Sequence, residues 1–268
     1  MVQSPSISRA DFLKTSAIAL SIPLLTHFEA QAKPIRKVGL QLYTLRDELS
    51  KDPDAVLKRV AEIGYKEVET FGYNDGKFFG KTPQAFKAQL KSLGLTSPSG
   101  HYGTAQLKNG WDKIVDDAAT IGQKYVACAY LRPDERKKAD DYKRFVDLFN
   151  TSAETCKKAG IQFVYHNHDF EFTEKVNDVM PYDILLSRTD PKLVQMELDL
   201  YWITKAKQDP IAYFQKHPGR FPLWHVKDME KTVEGAFAEV GTGSINFQRI
   251  FDAKKTAGMT HYFVEQDV

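Results

Sequence analysis

The chain has 268 residues, of which 42% are hydrophobic, 27% charged and 12% aromatic. This composition excludes a disordered, collagen-like or coiled-coil protein. Lys and Arg total 37 against 35 for Asp and Glu, a net charge of +2, which gives no electrostatic argument for a nucleic-acid partner. The two cysteines, Cys128 and Cys156, are too few for a disulfide framework and lack the spacing of a metal motif, so we interpret them as small buried residues.

Residues 1–32 have the pattern of an export signal. A charged flank precedes the apolar stretch Ile18–Leu25, which is too short to span a bilayer, and the small-residue segment Ala30–Ala32 is typical of a cleavage site. The segment Ser8–Lys14 resembles the twin-arginine export motif but has Ala10 in place of the second arginine, so both twin-arginine and general secretion stay open. The alternative is an ordinary N-terminal amphipathic helix. Cleavage after residue 32 predicts an exported, periplasmic chain of 268 minus 32, or 236, residues with no membrane attachment.

From Lys37 onward, eight strand patterns alternate with helical patterns. Glycines end several of the helices, just before the next strand begins. The predicted strands span 38–43, 65–71, 95–102, 124–130, 161–168, 193–200, 221–227 and 261–266, and the predicted helices span 53–64, 82–94, 111–122, 140–160, 178–188, 209–217 and 246–258.

Eight such units predict one domain over residues 33–268, a (β/α)8 TIM barrel of parallel strands. A doubly wound open sheet is the alternative, but no glycine-rich phosphate loop follows the first strand. No helical pattern follows the last predicted strand, so the eighth helix of the barrel is missing. We therefore expect either a truncated chain or a second chain against that flank, and a homo-oligomer is one form of the latter.

The last four predicted strands end in pairs of ionisable residues. Because residues two apart share a face of a strand, both members of each pair point the same way. Active sites of such barrels lie at the carboxyl ends of the strands. The pairs are His166 and His168, Glu197 and Asp199, His225 and Lys227, and Glu265 and Asp267.

One residue from each of these strands predicts a cage for a divalent cation. Imidazoles and carboxylates are costly to bury without partners, and a divalent metal accepts both kinds of ligand. The cage consists of a strand-five histidine, Asp199, His225 and Glu265. Each has an ordinary structural explanation when taken alone: a helix cap for Asp199, a hydrogen-bonded core histidine for His225 and a solvated carboxylate for Glu265.

Five strand-end segments together resemble those of the sugar phosphate isomerase/epimerase superfamily, the xylose isomerase-like barrels. They are Gln41–Arg46, Tyr165–Glu171, Glu197–Asp199, His225–Asp228 and Val264–Asp267. The resemblance extends over 38–268 and implies one divalent metal, most often manganese, with zinc or cobalt as alternatives. It implies His166, Asp199, His225 and Glu265 as the ligands. His168 competes with His166, because the family usually has glutamate on strand five.

The resemblance also implies the chemistry. The metal would polarise a sugar carbonyl and its neighbouring hydroxyl and stabilise an enediolate, while a base removes the adjacent proton. Glu265 is the expected base, His168 and Lys227 are further candidates, and Glu197 would orient a ligand. The predicted activity is a metal-dependent isomerase or epimerase on a small sugar or keto-sugar. The alternatives are a 3-keto-glycoside lyase or hydratase and a non-catalytic exported sugar-binding protein.

Other residues at the strand ends are candidates for binding the sugar. No cluster of Arg and Lys follows the last two strands, which favours an unphosphorylated substrate. Aromatic residues can stack on a sugar ring. The substrate-binding candidates are His101, Gln41, Tyr43 and Glu69, with Trp202, Tyr130 and Phe71 as stacking residues.

Overall fold

The computed structural model describes residues 37–267, which form a closed barrel of eight parallel strands. Each strand is hydrogen-bonded to the next in the chain, and the last strand pairs with the first through Gly39–Phe263 and Leu40–Val264. The barrel strands are β1 (Gly39–Gln41), β2 (Glu67–Thr70), β3 (Thr96–Tyr102), β4 (Tyr125–Cys128), β5 (Gln162–His166), β6 (Val194–Asp199), β7 (Leu223–Val226) and β8 (His261–Val264). The predicted TIM barrel is confirmed.

Helices connect successive strands. A 3-10 turn (Leu42–Leu45) follows β1, and a small antiparallel hairpin pairs Asp228–Met229 with Phe237–Ala238 after β7. The helices are α1 (Arg46–Leu49), α2 (Pro53–Ile63), α3 (Pro83–Ser92), α4 (Thr104–Lys108), α5 (Trp111–Ile121), α6 (Ala139–Lys158), α7 (Phe170–Thr173), α8 (Pro181–Arg188), α9 (Leu200–Lys205), α10 (Pro210–Lys216), α11 (Phe247–Asp252) and α12 (Lys254–Ala257).

The helix boundaries follow local sequence signals. Asp52 accepts hydrogen bonds from the first backbone amides of α2, which has proline in its first turn, and Gly64 ends the helix with φ +118°. The Thr82 hydroxyl caps α3 through the amide of Ala85. These caps satisfy amides that have no partner within the helix. The two helices begin at Pro53 and Pro83, against predicted starts at residues 53 and 82.

Strand residues alternate between the helical layer and the barrel interior. Trp224 of β7 faces outward, stacked at 5.1 Å on Phe214 of α10. The interior contains a small apolar cluster of Ala127, Val164, Leu223 and Phe263. A Cβ at Gly39 would collide with the Phe263 ring, so only glycine fits at this point of β1. Above this cluster the inward positions become polar.

Several predicted boundaries are wrong in detail. The first strand ends at Gln41 rather than at residue 43, because the Gln41 side chain accepts the amide of Tyr43 and begins the 3-10 turn. Strand five ends at His166, so His168 lies beyond the strand. The predicted helix 246–258 is two helices separated at Ala253. The helices α1, α4, α7 and α9 and the hairpin were not predicted, because their segments are too short to show a period.

The predicted export signal over residues 1–32 lies outside the described residues. After β8 the described chain continues irregularly through residues 265–267, with no helix there. Among residues 37–267, the helices are all too short or too polar to cross a bilayer. A homo-oligomer stays a prediction.

Candidate active site

A cavity of about 620 Å³ opens where the strands end. Its size is within the ~300–1,000 Å³ typical of small-molecule sites. Its lining combines ionisable groups from the late strands with aromatic side chains from the loops after the early strands. The lining residues are Tyr43, Phe71, Gly72, Tyr73, His101, Tyr102, Gly103, Gln106, Ala129, Tyr130, His166, His168, Lys227, Glu265 and Asp267.

Backbone contacts orient His166 and Asp199. The Nδ1 of His166 lies 3.2 Å from the carbonyl oxygen of Ala129, which can only accept, so Nδ1 carries the proton. Burial and nearby His225 lower the pKa of His166, so Nε2 presents a lone pair. One Asp199 oxygen, Oδ1, caps α9 by accepting the Trp202 amide at 2.9 Å, which directs Oδ2 into the site.

These orientations place two electron-rich atoms opposite each other. His166 Nε2 lies 3.5 Å from Asp199 Oδ2. Both atoms are buried, and neither forms a hydrogen bond with another described residue. Lys227 Nζ lies 3.1 Å from Asp199 Oδ2 and forms an ion pair with it. His166 Nε2 is therefore the acceptor without a partner among the described residues, which is rare for a buried group, and a lone pair facing a carboxylate is the arrangement a cation would satisfy.

His225 and Glu265 complete this group. His225 Nδ1 lies 2.6 Å from Glu265 Oε2. Burial alone would lower the pKa of His225, but the carboxylates of Glu197, Glu265 and Glu69 raise it well above its usual range. The structure therefore brings together the four residues that the sequence predicts as metal ligands. One donor atom from each of His166, Asp199, His225 and Glu265 lies within 4.8 Å of the others.

Lys227 is buried against three carboxylates. Its Nζ lies 2.7 Å from Glu265, 3.1 Å from Asp199 and 3.0 Å from Asp267. Burial would lower the pKa of Lys227, but these carboxylates raise it above its usual value. Lys227 in turn opposes the effect of burial on Asp199 and brings the pKa of that carboxyl down to about 2. Lys227 is therefore a cation at neutral pH, able to donate a proton rather than to accept one.

His168 is a neutral imidazole in the cavity wall. Burial, with nearby His166 and Lys227, lowers its pKa well below the usual value. The Glu171 carboxyl accepts the His168 backbone amide at 2.9 Å and a hydrogen bond from the Tyr165 hydroxyl. The loop after β5 therefore has a fixed anchor, although His168 lies outside the strand.

A second group of ionisable side chains lies beneath the first. His101 Nε2 is 2.7 Å from Glu197 and 3.3 Å from Glu69. His225 Nε2 is 2.6 Å from Glu69 and 3.4 Å from Glu197. Burial and nearby Glu197 raise the pKa of Glu69. The predicted ligand-orienting residue, Glu197, thus lies between His101 and His225.

The structure places the predicted substrate-binding residues at different depths. His101 and Tyr43 line the cavity. Gln41 and Glu69 are fully buried and do not line it. Trp202 lies behind His168, with ring centroids 5.5 Å apart, and is not part of the lining.

Asp267 lines the cavity as a partner of Lys227; its parity with Glu265 predicts this direction, although no role in the site was predicted for it. Tyr73 and Gln106 also line the cavity and were not predicted. They lie in connecting segments, where no strand periodicity marks an inward position.

The chain matches the family model of the xylose isomerase-like TIM barrel over residues 57–265. It belongs to this family. The family resemblance deduced from the strand ends is thereby confirmed.

Proteins similar to this chain include a sugar phosphate isomerase/epimerase and an inosose dehydratase. The chain is 31% identical to a sugar phosphate isomerase/epimerase from Parabacteroides distasonis ATCC 8503, whose crystal structure superposes with a TM-score of 0.73 over 87% of this chain and 91% of that one. It is 24% identical to an inosose dehydratase from Geobacillus kaustophilus strain HTA426, covering 84% of this chain and 82% of that protein. The crystal structure of IOLI protein with a bound zinc atom shares the fold, at 15% identity and a TM-score of 0.67 over 86% of this chain and 89% of that one.

Proposed function

We propose that this member of the xylose isomerase-like family is a metal-dependent isomerase or epimerase of a small sugar or keto-sugar. The observation that carries the proposal is the orientation of His166 Nε2 toward Asp199 Oδ2 at 3.5 Å. The backbone contacts of both residues direct these acceptors into the site, where a cation would satisfy them.

His166, Asp199, His225 and Glu265 would hold one divalent cation. Two imidazoles and two carboxylates are suitable donors for manganese, zinc or cobalt. Manganese is the ion that the family resemblance favours, and the zinc in the IOLI protein crystal structure supports zinc as an alternative. The second imidazole in the set, His166, moves the preference toward the softer ions.

When bound, such a cation polarises a sugar carbonyl and its neighbouring hydroxyl. This acidifies the C–H proton on the carbon that carries the hydroxyl. Among this chain's residues, Glu265 lines the cavity as a carboxylate, because Lys227 and His225 outweigh the effect of burial and hold its pKa well below the usual range. It is the group we assign to accept that proton. The neutral ring of His168 and the ammonium of Lys227 line the same cavity and can exchange protons with the sugar hydroxyls.

The lining also supports an unphosphorylated sugar. Lys227 is the one Lys or Arg side chain among the lining residues, and three carboxylates already neutralise it. A phosphate would therefore find no unpaired cation at the cavity wall. Hydroxyl groups, in contrast, can bind to His101, His168 and Asp267.

A lyase or hydratase acting on a 3-keto-glycoside is the second candidate. A two-base epimerisation needs a proton acceptor on each face of the sugar, and Glu265 is the one cavity-lining carboxylate in the predicted ligand set. Elimination instead needs one base and one group that protonates the departing oxygen, for which the ammonium of Lys227 is available. The similarity to an inosose dehydratase supports this candidate, and the cavity-lining aromatic residues Tyr43, Phe71 and Tyr130 can stack on a second ring.

Hydrogen exchange in deuterated water tests the proposal. The metal-loaded protein is incubated with a panel of keto-sugars and keto-glycosides, and the same samples with chelator and the His166→Ala variant serve as controls. Metal-dependent deuterium incorporation, with or without an epimer, supports the isomerase or epimerase. Loss of water or of an aglycone supports the second candidate, and saturable binding without exchange indicates a sugar-binding protein instead.

A further inference from the structure

Three fully buried side chains form a line beneath the site. Gln41 of β1, Glu69 of β2 and His225 of β7 each have 0% exposure. Gln41 Nε2 lies 2.6 Å from Glu69 Oε2, and the same oxygen lies 2.6 Å from His225 Nε2. The opposite nitrogen of His225, Nδ1, points up to Glu265. The line therefore ends at a predicted metal ligand.

The backbone sets the direction of every hydrogen bond in this line. The amide of Tyr43 donates to Gln41 Oε1 at 3.0 Å, which fixes the orientation of the Gln41 side-chain amide. Its Nε2, an obligatory donor, therefore faces Glu69 Oε2, and that oxygen must accept. As a carboxylate, Glu69 accepts through this oxygen on both sides, so the His225 nitrogen opposite Gln41 donates.

This direction determines which nitrogen of His225 can bind a cation. Without a cation, Nδ1 also donates to the Glu265 carboxylate; a cation bound at Nδ1 would replace that proton, while Nε2 keeps its own. We propose that Glu69, held by Gln41, is the positioning residue that keeps the proton of His225 on Nε2 and presents Nδ1 to the cation. The inference rests on the proposed metal site. Partners of this kind orient metal-ligating histidines and strengthen them as donors.

The second group of ionisable side chains, which lies beneath the first and is called the lower group below, could instead be a second cation site. One donor atom from each of Glu69, His101, Glu197 and His225 lies within 4.8 Å of the others, and the remaining Oε1 atoms of Glu69 and Glu197 form no hydrogen bond with described residues. That site would need a lone pair on His225 Nε2, where the Gln41–Glu69 contact requires a proton. The proposal therefore expects one metal per chain rather than two.

Zinc affinity of full-length variants tests the positioning role. Glu69→Gln removes the charge and can turn its amide nitrogen toward His225, so the zinc Kd, measured by competition with a chromophoric chelator, should rise about 10- to 100-fold. Gln41→Leu should weaken binding in the same direction by a smaller factor. Glu67→Gln is the matched control: it is two residues earlier on β2, and its carboxylate contacts His261 at 2.7 Å, away from the site. Its Kd should match that of the wild type.

NMR of ¹⁵N-histidine in the zinc-loaded protein gives the second readout. The wild type should show His225 protonated on Nε2 and ligated through Nδ1, which a purely structural role for Glu69 would not require. Glu69→Gln should unfold at the same temperature as Glu67→Gln in the absence of metal.

The outcomes separate this inference from the proposed function. A wild type that binds no zinc contradicts the metal site itself. Wild-type binding with an equal Kd in Glu69→Gln, or ligation through Nε2, contradicts the positioning role alone. Two zinc equivalents per chain, one of them lost in Glu69→Gln, would show that the lower group is a metal site and would also overturn it.

Discussion

Replacing Lys227 by methionine should destabilise the metal-free protein strongly. The ammonium is the shared partner of Asp199, Glu265 and Asp267. Asp267 keeps 22% side-chain exposure and can be solvated, whereas Asp199 and Glu265 have 0% and 5%. Lys227→Met therefore leaves two buried carboxylates without this cation.

The magnitude follows from that loss. Removing one partner of a buried ion pair costs about 3–5 kcal/mol. For a domain of this size, 1 kcal/mol corresponds to roughly 2–4 °C in Tm, so we expect Tm to fall by about 6–20 °C. Zinc should restore much of the loss, since a cation held by Asp199 and Glu265 replaces the missing charge.

Urea and thermal unfolding, each with EDTA and with added zinc, measure this effect. Lys216→Met is the matched control, because Lys216 forms an exposed pair with Asp183 at 3.3 Å, and such pairs contribute little. If Lys227→Met in EDTA unfolds like Lys216→Met, the assignment of Lys227 as the charge partner of the site is refuted.

Three further predictions concern the surroundings of the site. Burial raises the pKa of Glu171 from 4.5 to about 8, so between pH 4.5 and about pH 8 the folded state holds a proton that the unfolded state has lost. The free energy of unfolding therefore falls as the pH rises through this range, by up to about 1.4 kcal/mol per pH unit. Glu171→Gln mimics the protonated form, so its free energy of unfolding should lack this pH dependence, while the exposed control Glu154→Gln should keep it. Parallel plots of unfolding free energy against pH for Glu171→Gln and the wild type would contradict this prediction. Asp228 accepts the amides of Gly241, Gly243 and Ile245, so Asp228→Ala should accelerate proteolysis within 229–245 relative to Asp252→Ala, and equal cleavage rates would show that this anchor is unimportant. We also propose that the chain is exported, and N-terminal sequencing of the secreted protein should then begin at Lys33; any other start would refute the predicted cleavage site.

The barrel could be predicted from the alternation of eight strand and helix patterns, and much of the site from strand parity. Inward residues at matching strand ends must meet when eight parallel strands close, so the sequence alone predicts that Asp199, His225 and Glu265 lie together. Parity left His166 and His168 as alternatives, and the structure ends β5 at His166.

Depth and hydrogen-bond direction could not be predicted in this way. Gln41 and Glu69 have the correct parity, yet they lie under the site rather than in its wall. Their relation to His225 follows from the contacts of Glu69 with Gln41 and with His225, and from the Tyr43 amide that orients Gln41. Trp202 follows Asp199 by a helical turn, α9, that is too short to predict, and so its distance from the cavity was not foreseen.

The metal content of the purified protein tests the central claim most directly. After incubation with manganese, zinc or cobalt and removal of free ions, elemental analysis of the wild type should give one equivalent per chain, and Asp199→Ala/His225→Ala should give none. Asp209→Ala/His217→Ala, which removes the same residue types elsewhere, should keep the wild-type equivalent. A wild type without metal, or unchanged metal in Asp199→Ala/His225→Ala, would contradict the account.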